Sequence, residues 1–173
     1  MDAIRWLPAY VGIGSNLENP ERQVIRAIAE LATVPRSRSI ATSRLYLSKP
    51  FGPVSQPDFV NAVVGMLTQC ELGEFFGALR DLELSLGRAP ATRRWGPRSI
   101  DLDLLVFGSL RQDEPQLTVP HPGIVERNFV LYPLADVAPE MEVPGLGRVS
   151  QLRERVKPDG IALFEAGDRG WRA

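Results

Sequence analysis

Apolar positions along the chain switch between two periods, and the switches mark out its elements. Residues 9–13 alternate as a first strand, and Gly12 and Gly14 read as a tight turn from it into a helix. Asn19-Pro20-Glu21 has the form of a helix start: a capping side chain, Pro at the first helical position and an acid in the first turn. Val24, Ala27, Ile28 and Leu31 then recur at helical spacing as a buried stripe, and Pro35 ends the helix. Residues 40–47 predict a second strand, and residues 49–57 are too rich in Pro and Gly for regular structure. Residues 59–68 are apolar on both faces, which predicts a central strand with Asn61 as its polar exception. Residues 72–86 predict a helix with Phe75, Leu79, Leu82 and Leu86 on its buried face and Gly87 as its stop. Ile100, Leu102, Leu104 and Val106 share one face of a fourth strand, with Asp101 and Asp103 on the other. A helical stretch interrupted at Pro133 is expected over residues 124–138.

The order strand-helix-strand-strand-helix-strand is that of a ferredoxin-like α+β domain: an antiparallel sheet with helices on one face, followed by C-terminal helices and an extension. With 173 residues the expectation is one domain spanning residues 1–173 around one core. Residues 140–173 are rich in Gly and charge; they read as packing or partial disorder, with no chemistry of their own.

Composition narrows the partners. A net charge of −1 supplies no global field toward nucleic acid or membrane. Cys70 is the only cysteine, which excludes an internal disulfide and a cysteine-rich zinc site. The N-terminus has no long apolar run, so a cytoplasmic protein is expected. The cations are nearly all arginine, whose planar fork suits phosphate oxygens.

Chemistry concentrates where the arginines meet the fourth strand. Between Arg88 and Ser99 there are four arginines (Arg88, Arg93, Arg94, Arg98) and no acid. Such a run is ordinarily a solvated loop. Here it leads directly into Asp101 and Asp103, whose Cα atoms stand about 7 Å apart on one strand face. Acids alternating with Leu are also the pattern of a half-buried strand with a solvated face. Asp is depleted in strands, however, and the next residues on that face, Leu105 and Phe107, are apolar, so the pair is expected to line a cleft. Two carboxylates with phosphate oxygens complete the octahedron of Mg²⁺, which points to phosphoryl-type transfer from a Mg-nucleotide. Gly12-x-Gly14 lacks the third glycine of a dinucleotide site, where Leu17 stands, and no P-loop is present. Asn61 reads either as a core amide satisfied by backbone or as a ligand contact, and His121, the only histidine, as structural or as part of a site.

The run from Arg94 to Leu105, Arg-Trp-Gly-Pro-Arg-Ser-Ile-Asp-Leu-Asp-Leu-Leu, resembles the hallmark of the 6-hydroxymethyl-7,8-dihydropterin pyrophosphokinase family of folate biosynthesis. The resemblance extends to residues 10–17, 56–62 and 117–122, in the family's order, and covers roughly residues 9–140. It implies transfer of pyrophosphate from ATP to the hydroxymethyl group of a dihydropterin, with release of AMP. It implies that Asp101 and Asp103 hold two Mg²⁺ ions, that Arg88 and Arg98 engage the phosphates, and that Glu83, His121 and Arg127 lie on the nucleotide side. For the pterin it implies Phe59 and Phe129 as stacking partners, Asn61, Ser48 and the backbone near Phe51 as edge contacts, and Trp95 as a loop cover. ATP and the dihydropterin are then the partners, with no nucleic acid or membrane and with a monomer as the simplest state. The chain departs from relatives at Pro122, at Ala89-Pro90-Ala91-Thr92 and at Arg80, where some relatives have Gln near the nucleotide. Two other readings compete: another Mg-dependent nucleotidyl or glycosyl transferase, which has no use for the aromatic set, and a non-catalytic RNA- or nucleotide-binding module, whose binding face would be hindered by acids.

Overall fold

A computed structural model of the chain describes residues 5–88 and 96–165. Its frame is an antiparallel sheet. β1 (Leu7–Ser15) and β4 (Phe59–Thr68) lie at its centre, β5 (Asp101–Phe107) flanks β1, and β2 (Ser37–Thr42) and β3 (Tyr46–Ser48) both pair with β4. This gives the ferredoxin-like order expected from the pattern, with α1 (Pro20–Leu31) and α2 (Leu72–Ser85) as the two crossovers. The first helix starts as its sequence dictates: Asn19 accepts the Arg22 N–H and Pro20 opens the helix.

Two apolar layers sandwich the sheet. On one face Val24, Ala27 and Leu31 of α1 and Phe75 and Leu79 of α2 pack on Val11, Ile13, Ala62, Leu102 and Leu104. On the other face Val130, Leu131 and Leu134 of α3 (Asn128–Val137) and Leu152 of α4 (Val149–Arg155) cover Val63, Leu105 and Val106. β4 is buried on both sides, as its mainly apolar run requires, and Asn61 is buried with it.

Several expectations are corrected. β1 runs on to Ser15, so Gly12 and Gly14 lie inside a strand and form no turn. The second strand is two, β2 and β3, both on β4: four steps from Thr42 to Tyr46 span three from Val64 to Asn61, so one residue bulges out. The helix over residues 124–138 starts four residues late, at Asn128, and Pro133 sits inside it without ending it. The apolar face of Val130, Leu131 and Leu134 holds it to the sheet. A hairpin of β6 (Gln112–Glu114) with β7 (Leu117–Val119) follows β5. Of the two readings for residues 140–173, packing holds over residues 140–165, and residues 166–173 lie outside the described residues. The segment contains the pair of β8 (Glu142–Val143) with β9 (Gly147–Arg148), α4 and a last strand. That strand, β10 (Ile161–Leu163), extends the main sheet by pairing with β3. The Asn128 side chain donates to the carbonyls of Lys157 and Asp159, which ties the start of α3 to this segment.

β5 also departs from strict alternation. Gly12 faces Asp103 and Val11 faces Leu104, but Tyr10 faces Val106, leaving Leu105 as a bulge. Every residue beyond it changes side. Val106 joins the α3 face, not that of Leu102 and Leu104, and Phe107 turns onto Phe75 with ring centroids 5.7 Å apart.

Candidate active site

The bulge builds part of the site. The Leu105 carbonyl accepts the His121 N–H at 2.8 Å, which docks the segment after β7 along the free edge of β5 and brings His121 over the acids. On the other side, β1 and β5 run in register with Gly12 opposite Asp103 and Gly14 opposite Asp101. The two glycines remove the side chains that would stand beside the carboxylates; a Cβ on Gly14 would lie 3.4 Å from Asn61 Oδ1. The result is a cavity of about 320 Å³ on the α3 side of the sheet.

Ten of the expected site residues line it together: Ser48, Phe51, Phe59, Asn61, Arg98, Asp101, Asp103, His121, Arg127 and Phe129. Phe51 and Phe129 meet edge to face at 6.3 Å, and the Arg127 guanidinium lies 5.7 Å from one ring and 5.8 Å from the other. Gly123 leaves room for that side chain: a Cβ there would fall 2.6 Å from Arg127 Nε. Asn61 is buried in the cavity wall, and its Nδ2 donates to Ser48 Oγ at 2.8 Å, so a side-chain partner, not the backbone of its own strand, is its main anchor.

Glu83 and Arg88 do not line this cavity. Glu83 is 2% exposed and sits behind β5 on α2, where it accepts the Leu102 N–H at 2.6 Å and pairs with Arg80 at 2.8 Å and Arg88 at 2.5 Å. Burial raises its pKa despite these partners. Arg88 reaches past it to Asp101 Oδ1 at 3.1 Å, and Arg98 holds Asp101 Oδ2 at 2.5 Å. Trp95, like Arg93 and Arg94, lies outside the described residues.

The two acids therefore differ. Asp101 is engaged by two guanidinium groups. The Asp103 side chain keeps 35% of its surface open to the cavity, and burial of its carboxyl together with the Asp101 charge pushes its pKa up to about 7. A pair with such mutual repulsion gains most from a hard cation, and carboxylate oxygens are the donors Mg²⁺ favours, so the residues present fit that ion.

Sequence reasoning missed Asn16. Its Oδ1 accepts the Arg98 N–H at 2.8 Å, its N–H donates to the Arg98 carbonyl, and its Nδ2 donates to Gln56 Oε1 and the Pro57 carbonyl. One buried amide thus joins the Pro-rich loop to the arginine segment. Its block was recognisable, but nothing local in the sequence reveals partners 40 and 82 residues away.

Known proteins share both the sequence and the architecture. The family described as 7,8-dihydro-6-hydroxymethylpterin-pyrophosphokinase matches residues 10–139. A Pseudomonas aeruginosa protein named 2-amino-4-hydroxy-6-hydroxymethyldihydropteridine pyrophosphokinase is 42% identical over 88% of this chain and 93% of its own. A protein of the same name from Haemophilus influenzae is 35% identical over 84% of this chain and 91% of its own. Among solved structures, wild-type Plasmodium falciparum HPPK-DHPS with pteroate superposes with a TM-score of 0.69 at 14% identity. That likeness shows the fold; it covers 89% of this chain, which spans 43% of that longer one. With a family match across most of its length and relatives this similar over nearly their whole chains, the protein belongs to the 7,8-dihydro-6-hydroxymethylpterin-pyrophosphokinase family.

Proposed function

We propose that this chain transfers pyrophosphate from ATP to the hydroxymethyl group of 6-hydroxymethyl-7,8-dihydropterin. The hydroxymethyl oxygen bonds to the β-phosphorus, the bond from that phosphorus to the α,β-bridging oxygen breaks, and AMP leaves while the hydroxyl proton is lost. The observation that carries this reading is the lining of one cavity: Asp101 and Asp103 on β5, with Arg98 and His121, across β1 from Phe59 and Asn61 on β4, with Phe129. A flat heteroaromatic ring needs apolar faces and edge hydrogen bonds, which Phe59, Phe129, Asn61 and Ser48 would supply.

Asp101 and Asp103 would hold Mg²⁺, two ions in the full complex, and the bound cation supplies charge neutralisation on the phosphate chain and polarises the transferring group. Arg98 from the cavity wall and Arg88 from behind β5, both now on Asp101, would exchange that carboxylate for phosphate oxygens. His121 Nδ1 accepts the Gly123 N–H at 3.0 Å, so the ring proton sits on Nε2, facing Asp103 and the phosphate end of the cavity. Arg127 joins the aromatic end to the phosphate end and would orient both substrates. Pyrophosphoryl transfer asks for this positioning and charge stabilisation and needs no protein nucleophile.

The test is incubation with ATP, Mg²⁺ and the dihydropterin. AMP should appear in equal amount to the pterin pyrophosphate and require both substrates. ADP as the nucleotide product would indicate single phosphoryl transfer, and inorganic pyrophosphate would indicate nucleotidyl transfer; either would overturn the reading.

A further inference from the structure

Leu102 lies between the two cavity acids, on the strand at the end of the sheet. Its side chain is fully buried toward the helices, and its backbone N–H and C=O point away from β1. Two unpaired backbone groups at a buried strand edge are costly unless something replaces the missing strand. Here α2 does so with two side chains one turn apart. Glu83 Oε1 accepts the Leu102 N–H, and Arg80 Nη2 donates to the Leu102 carbonyl. Arg80 and Glu83 are themselves joined at 2.8 Å, so the four groups close into a ring. The Arg80 guanidinium rests 4.9 Å over the Phe76 ring, and its Nε is buried with no hydrogen-bond partner among the described residues. An arginine that leaves a buried donor unmet is held there by what its other nitrogens do.

We propose that Arg80 is a positioning residue for the cation site: with Glu83 it clamps the backbone of Leu102 and so fixes the spacing and direction of Asp101 and Asp103. This rests on the reading that those carboxylates hold Mg²⁺. Arg80 lines no part of the cavity and touches neither acid. It acts through the peptide groups on either side of Leu102, which belong to the backbone of both acids. Glu83 has a second task, holding Arg88 against Asp101, so its removal would loosen two things at once. Arg80 isolates the clamp.

The sign of the effect separates a clamp from a charge. Arg80 carries a positive charge close enough to favour ionised Asp103. Removing that charge alone should draw a divalent cation in more tightly. Removing the hold should let the carboxylates drift and bind it more weakly. The test is a titration of the full chain with Mn²⁺, followed by electron paramagnetic resonance, with a non-transferable ATP analogue present. Arg80→Met removes donor and charge; Arg80→Lys keeps the charge but loses the fork that spans Glu83 and the Leu102 carbonyl. Loss of support to a metal ligand typically costs about 10-fold in affinity or more, so R80M and R80K should both weaken Mn²⁺ binding by at least ~10-fold. Mn²⁺ binding in folded R80M or R80K equal to or tighter than wild type overturns the proposal.

Should R80M fail to fold, Arg80→Lys decides alone. A single ammonium cannot serve Glu83 and the Leu102 carbonyl in the arginine's geometry, so the proposal then requires weaker Mn²⁺ binding in R80K and falls if R80K matches wild type. The proposed function fails on different results: wild-type protein that takes up no Mn²⁺ with the nucleotide, or that releases no AMP. The Arg80 proposal fails on the difference between variants and wild type.

Discussion

His121 Nε2 stands 3.9 Å from Asp103 Oδ2, and burial pushes the two groups in opposite directions. His121 is driven down to about 4 by desolvation and by Arg127, so it is neutral at pH 7. Asp103 is driven up to about 7 by desolvation and by Asp101, so it is only partly ionised there. The pair is therefore no salt bridge at neutral pH but a neutral N–H donor facing a carboxyl that a cation would ionise.

The consequences for stability have opposite signs. Between about pH 4 and 6.5 the unfolded chain binds a proton at His121 that the folded chain refuses, so this contribution is full above 6.5 and is lost as pH falls toward 4. Asp103 behaves in reverse: its contribution is full below 3.8 and is lost as pH rises through about 7. In EDTA, denaturant melts of Asp103→Asn should gain stability with pH across this window, and those of His121→Asn should lose it. As the sole histidine, His121 gives one imidazole signal by NMR; a midpoint near 6.5 in the metal-free protein would refute the assignment.

The two acids should also respond differently to neutralisation. From the sequence alone, either Asp→Asn change is expected to leave metal-free stability unchanged or raise it. The structure keeps that expectation for Asp103, whose charge is desolvated and beside another carboxylate. It reverses it for Asp101, which accepts from Arg98 and Arg88. D101N should cost about 1.5–3 kcal/mol, the range for hydrogen bonds to charged groups. Both variants should lose AMP release by orders of magnitude when folded. Melting in EDTA and turnover with Mg²⁺ on the same preparations would check this; near-normal turnover in folded D103N would refute the metal role.

Phe129→Ala should weaken dihydropterin binding by about 1–3 kcal/mol through lost stacking and burial, with less effect on nucleotide. The edge contact between Phe129 and Phe51 gives a further reason, because Phe51 is well exposed and loses its ring partner. Calorimetric titration with each ligand separately would decide; a loss falling mainly on ATP would move the pterin pocket elsewhere.

Much of this architecture was legible because the pattern and the packing agree. The Phe59–Thr68 run is mainly apolar and central, and the α1 and α2 stripes face the sheet as spaced. What failed were the positions where one extra residue changes parity. The bulges at Leu105 and between β2 and β3 leave no mark in composition, since a strand with an inserted residue still reads as apolar chain. Leu105 shows why this matters: its displaced carbonyl is what docks His121. The Asp pair and the arginines were visible as chemistry, but that Glu83 sits behind the strand and Arg88 reaches Asp101 past it depended on how α2 lies against β5.

Asn16→Ala should loosen the two loops that frame the cavity. It removes the acceptor for Arg98 N–H and the donors to Gln56 and Pro57. Buried polar groups left unsatisfied cost about 1–3 kcal/mol, so melting should fall by that amount. Hydrogen exchange should rise together in residues 51–57 and 96–100, which lie far apart in sequence but share this side chain. Exchange rising in only one of the two segments would show that Asn16 does not couple them.

The pairing of Gly12 with Asp103 and Gly14 with Asp101 makes the sharpest separation of site from fold. Glycine is a poor strand former, and β-branched residues are good ones, so Gly14→Val would ordinarily stabilise β1. The position has extended backbone and no positive φ to forbid a side chain. The nearest atom to a new Cβ is Asn61 Oδ1, the movable end of a side chain, at 3.4 Å. The fold should therefore tolerate the change, with stability within about 1 kcal/mol of wild type. The cavity should not, because two methyl groups would stand between the carboxylate row and Asn61, where both substrates are proposed to meet. Gly12→Ala is the milder companion: its methyl would meet the Leu105 side chain at 3.4 Å and crowd the approach to Asp103. Turnover should fall in the order wild type, Gly12→Ala, Gly14→Val, the last by about 100-fold or more, as expected for displacement of reacting groups by an ångström. A Gly14→Val protein that melts normally and turns over normally would show that the open strip between β1 and β5 is not where the substrates bind.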